Sequence, residues 1–106
     1  MQIPKTVMVG DKKYYIHLQR SAKRNAWGCI YFLVPSIYIS THSEGKPRPA
    51  TGRDGMNTIF WHEIMHAILH DMNHPLNKDE KFVTEVSRRL AQVCETADMI
   101  GEEDEE

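Results

Sequence analysis

Apolar and polar positions alternate with a period of two near the start of the chain and a period near 3.6 toward its end. Thr6-Val7-Met8-Val9 predicts a short strand, and Gly10-Asp11 predicts the tight turn of a hairpin. From Lys13 to Gln19, Tyr14, Ile16 and Leu18 fall on one face and Tyr15 and His17 on the other. Gly28 to Val34 is apolar on both faces, which predicts a central strand. Pro35-Ser36 interrupts it, and Ile37 to Ser40 predicts a shorter strand with an open edge. Ser21 to Ala26, and the Gly-, Pro- and charge-bearing stretch from Thr41 to Gly55, read as loops.

Two helices follow. The first starts between Asp54 and Asn57 and ends near Met72, because Pro75 cannot continue it. The second begins at Asn77, where Asn77-Lys78-Asp79-Glu80 fits a capping box, and runs to about Ile100 with Gly101 as its stop. Phe82, Val86, Leu90, Val93, Ala97 and Ile100 form its apolar stripe. The expectation is an α+β fold: a sheet of three or four strands packed on two helices, residues 1–100 as one domain, and 101–106 as an acidic disordered tail.

Composition narrows the classes without naming one. With 106 residues, 41% of them hydrophobic, there is room for one small core. No uncharged apolar run approaches the roughly 20 residues of a membrane span, and the first residues do not form a signal peptide. Cys29 and Cys94 read as free thiols packed in a core, and the chain as cytoplasmic. The net charge of -2 conceals an asymmetry: residues 1–53 carry nine Lys/Arg against Asp11 and Glu44, residues 54–106 four against thirteen acids. A basic front half can attract nucleic acid, but zinc knuckles and a recognition helix are missing, so nucleic acid stays a secondary expectation.

The chemistry concentrates in Phe60-Trp61-His62-Glu63-Ile64-Met65-His66-Ala67-Ile68-Leu69-His70. Four residues apart on a helix, His62 and His66 emerge on one face and can hold one zinc ion. Glu63 lies about 100° round from His62, beside the metal, where a carboxylate can take a proton from an activated water. This is the H-E-x-x-H arrangement. Phe60, Trp61, Ile64, Met65, Ile68, Leu69 and Met72 cover the opposite half of the helical wheel, so a largely buried helix keeps four ionisable groups on one side. A metal at a cleft satisfies them.

His70 is about 12 Å along the axis from His62 and belongs to the cleft wall rather than the ligand set. The third ligand must come from the second helix. Glu85, at the edge of the predicted stripe, is the expected ligand; Asp79 and Glu80 in the first turn are the alternatives. Thr84 is expected to face solvent.

Two histidines four apart with an acid some twenty residues downstream on the next helix resemble the gluzincin pattern, and Thr84-Glu85-Val86-Ser87 resembles its segment that begins Asn-Glu. In such families the acid also falls one position earlier, which here is Thr84. The layout as a whole resembles small phage and prophage zinc metallopeptidases related to the ImmA/IrrE and SprT-like zincins, strongly over Thr58 to Val93 and only in architecture over residues 1–50. That resemblance implies a minimal zincin-like domain binding Zn²⁺ through His62, His66 and Glu85, with Glu63 as general base. Its partner is a protein or peptide substrate laid along a strand edge, Ile37 to Ser40 being the expected one. Tyr38, His42, His70 and His74 are candidates for stabilising the transition state. The other readings are a zinc-binding module that does not cut and a nucleic-acid-associated regulator of the SprT-like kind.

Overall fold

The computed structural model describes residues 2–22, 27–51, 55–98 and 100. The acidic tail 101–106, the Gly101 stop, Asp54 and positions 23–26 of the first loop lie outside the described residues. The fold is α+β. Strands β1 (Thr6–Val9), β2 (Lys12–Gln19), β3 (Gly28–Tyr31) and β4 (Ser36–Ser40) form one sheet in the order β1-β2-β4-β3. β2 and β4 run parallel, and the other two pairings are antiparallel. A small hairpin of β5 (His42–Ser43) and β6 (Lys46–Pro47) lies within the long loop. Helix α1 (Met56–Asp71), a 3-10 turn (Pro75–Lys78) and helix α2 (Glu80–Thr96) complete the chain.

The first hairpin turns where Gly10 adopts a φ of 60°, a conformation that side chains other than glycine rarely take. Its period-two pattern sends Tyr14 into the core at 1% exposure and leaves Tyr15 half in solvent. The strand assignments farther along are corrected. Gly28 to Val34 is not central: β3 ends at Tyr31, lies at the sheet edge, and hands over to a turn in which Leu33 and Val34 are exposed. β4 is an inner strand, beside β2, and its Ile37 and Ile39 are fully buried, so Ile37 to Ser40 offers no open edge. Ile37 to Ser40 is the shorter apolar run in the sequence, but β4 carries β-branched side chains on the one face that α1 covers, and that face decides its position.

α1 lies across the sheet, packing Ile59, Phe60, Ile64 and Ala67 against Val9, Tyr14, Ile37 and Ile39. Gly28 lets β3 come close to this helix, since a Cβ there would meet Ile59 Cγ2 at 2.6 Å. On its other side α1 meets α2, but not through the stripe of large apolar residues. The buried positions of α2 are Val83, Ser87 and Ala91, a face rotated by roughly 100° from the expected one. Two of those three side chains are small, which lets the helix backbones approach closely. Leu90 and Val86 are only half-buried, and Val93 remains 62% exposed.

This packing generates the first prediction. Val83→Ala should lower unfolding free energy by about 2 kcal/mol, while Val93→Ala should cost less than about 0.5 kcal/mol. Urea denaturation of both variants measures the difference; equal losses would return the buried face to the large apolar stripe.

Candidate metal centre

His62 and His66 project from successive turns of α1 toward the first turn of α2, their ring centroids 5.0 Å apart. Glu63 points into the same space, and the ligand atoms of His62, Glu63 and His66 lie within 4.8 Å of one another. Opposite them stands Glu80. Its Oε2 is 3.1 Å from His62 Nε2, and its Oε1 is 2.8 Å from His66 Nε2. One carboxylate thus touches both imidazoles.

The acid that faces the two imidazoles is Glu80 rather than the expected Glu85. Glu85 is exposed and gives its carboxylate to Arg89 at 2.9 Å on the outer side of α2. The reason is the rotated packing face: with Val83, Ser87 and Ala91 turned inward, Glu85 points almost directly away. The same rotation brings Thr84, expected in solvent, into the cleft wall. Asp79 is engaged as the N-cap of α2, accepting the Phe82 N–H at 3.0 Å, which leaves Glu80 free to face α1.

Asn77, expected to cap α2, has a different partner. Its Oδ1 lies 2.8 Å from His66 Nδ1, and since a carbonyl oxygen only accepts, Nδ1 carries the proton. The neutral ring then presents the lone pair of Nε2 to Glu80, and two acceptors face each other at 2.8 Å. A proton shared by the two atoms, or a cation bound by both, makes such a contact attractive. His62 adds to this need. Burial holds its pKa below the ordinary value, an effect the nearby Glu80 charge opposes and that of His66 reinforces. Two imidazole nitrogens and a carboxylate converging in this way fit a divalent cation such as zinc.

Glu63 is 5% exposed. Burial raises its pKa from 4.5 to about 7; a charge on His66 pulls the other way, and that of Glu80 reinforces the rise. The cleft in front of it has a volume of about 420 Å³, with Trp27, Gly28 and Ile59 on one side and Thr84 and Arg88 on the other. Trp27 is half-exposed, and Arg48 sits 4.6 Å above its ring. The candidates for transition-state stabilisation are elsewhere. Tyr38 stacks on His17, His42 pairs with Thr41, His70 stacks on Phe32, and His74 accepts the Leu76 N–H. None of the four lines this cleft. Sequence reasoning missed Asn77 and Arg88; the stop of α1 before Pro75, which folds the chain back over His66, was the available signal for Asn77.

Comparison with protein-family models, with curated proteins and with solved structures finds no match.

Two predictions follow from this geometry. In chelator-treated protein, Glu63 ionises at about pH 4.5 when unfolded and at about 7 when folded, so its buried charge weighs against the fold only as pH rises. Glu63→Gln should match wild-type stability near pH 4 and exceed it by about 3 kcal/mol above pH 7.5. Denaturant titrations across that range test the sign; a difference that does not grow with pH would place Glu63 in water. Second, Asn77→Ala should weaken zinc binding by roughly tenfold or more, and Asn77→Asp should restore it. Imidazole ¹⁵N shifts should report the Nδ1–H form of His66 in wild type and its loss in Asn77→Ala; an unchanged tautomer would show that Asn77 does not orient the ring.

Proposed function

We propose that this domain is a zinc-dependent metallopeptidase of the zincin type that holds its ion through His62, His66 and Glu80. The observation that carries the reading is the convergence of two imidazole nitrogens on one carboxylate beside a second, buried carboxylate. Three protein ligands of the N, N, O kind leave one position open, as catalytic rather than structural zinc sites do. Zinc bound there would polarise a substrate carbonyl and make water more acidic.

The chain's own residues supply the rest. Glu63, with its proton affinity raised toward neutrality by burial, can accept a proton from the attacking water as oxygen bonds to the carbonyl carbon. It can return that proton to the amine as the C–N bond breaks. Asn77 keeps His66 in the form whose Nε2 is free to coordinate. β3 is an edge strand of the sheet and borders the cleft at Gly28, where a Cβ would lie 3.4 Å from Glu63 Oε2. An extended peptide pairing with that edge would carry its backbone past the carboxylate. A zinc-binding module that does not cut is the second reading; it is favoured by the open position of Glu80, whose side chain is 68% exposed.

The purified protein should hold close to one equivalent of zinc. His62→Ala, His66→Ala and Glu80→Ala should each weaken it by at least about tenfold, and Glu85→Ala should leave it unchanged. Glu63→Gln should retain zinc while hydrolysis of an unstructured casein-type peptide falls by about 10²–10⁴-fold. Full zinc retention in the histidine variants would remove the site. Equal cleavage by Glu63→Gln would remove Glu63 as the base, and no cleavage by zinc-loaded wild type would favour the binding module.

A further inference from the structure

Arg88 lines the same cleft as His62, His66 and Glu80, and the hydrolytic reading makes no use of it. It is half-buried on α2, four residues after Thr84 and eight after Glu80, so the three share one face of the helix. The nearby acid is already engaged, because Glu85 pairs with Arg89. The charge of Arg88 lowers the pKa of Glu85, a smaller effect than that of Arg89, but Arg88 forms no ion pair or hydrogen bond with any described residue. A guanidinium is a planar fork of donors with no acceptor, and its complement is a carboxylate bound through both oxygens. Partly desolvated in a cleft and unmatched, it is poised for a ligand that carries one.

We propose that Arg88 selects peptides by a carboxylate, either an acidic side chain or a free C-terminus. The proposal rests on the peptidase reading for the nature of the ligand. Eight residues span about 12 Å along the helix axis, and the side chain leans back toward the helix N-terminus. At about 3.3 Å per residue, an extended peptide passing Glu63 reaches the guanidinium within two or three residues. Trp27 and Ile59 supply apolar lining to the same cleft, which selects for shape rather than charge.

The test uses the zinc-loaded full chain carrying Glu63→Gln, so that peptides bind without being consumed. Fluorescent peptides of matched length are compared by anisotropy at low salt: amidated and neutral, amidated with one Glu at successive positions, and neutral with a free C-terminus. At least one acidic kind should bind roughly tenfold more tightly than the neutral amide, and which one it is identifies the source of the carboxylate. Arg88→Ala should bring that ratio to about one, and Arg88→Glu should turn the preference toward peptides with Lys. Equal binding of all peptides, no binding at all, or a preference that survives both substitutions would overturn the proposal. Cleavage by the Glu63-containing protein is measured separately. If no peptide is cut but the Arg88-dependent preference persists, the peptidase reading fails and carboxylate recognition stands.

Discussion

Glu80 reaches from the first turn of α2 to Nε2 of both His62 and His66, and the chemistry of the seam between the two helices depends on that contact. With the His66 Nδ1 proton committed to Asn77, the carboxylate and the His66 lone pair have no proton to share unless one is added. A cation held by both atoms resolves the conflict, and it takes the place of the His62–Glu80 hydrogen bond. The polar seam between α1 and α2 is thus a demand for positive charge built into otherwise ordinary packing.

Close helix approach makes the seam possible. Val83, Ser87 and Ala91 give α2 a shallow inner face, and Ser87 returns its hydroxyl hydrogen to the Val83 carbonyl, so it needs no partner on α1. Larger residues at these positions would hold Glu80 farther from the imidazoles. On the opposite side, α1 is seated on the sheet by Ile59, Phe60, Ile64 and Ala67, and Gly28 permits β3 to come under Glu63. The burial that seats the helix also removes Glu63 from water and raises its pKa. Packing and proton affinity therefore have one cause.

The sequence made legible what depends on local periodicity. The β1–β2 hairpin, the limits of α1 and the shared face of His62, Glu63 and His66 follow from alternation, from the block to α1 before Pro75 and from the 3.6-residue turn. What it did not disclose was set by tertiary choice. β3 looked central because it is apolar on both faces, yet β4 won that place. The wheel of α2 was centred on its largest apolar side chains, whereas the helix buried Val83 with the small Ser87 and Ala91, and this rotation moved the expected ligand Glu85 outward and Glu80 inward. The capping signal at Asn77 was displaced by one short 3-10 turn, which freed its amide for His66.

The most direct test of the account is the coordination shell of added zinc, read by X-ray absorption at the zinc edge on protein carrying one equivalent. The account predicts two imidazole rings with oxygen atoms completing a four-coordinate shell, and an oxygen contribution that changes in Glu80→Gln but not in Glu85→Gln. Sulfur scattering from Cys29 or Cys94, or a shell with fewer than two imidazoles, would contradict it.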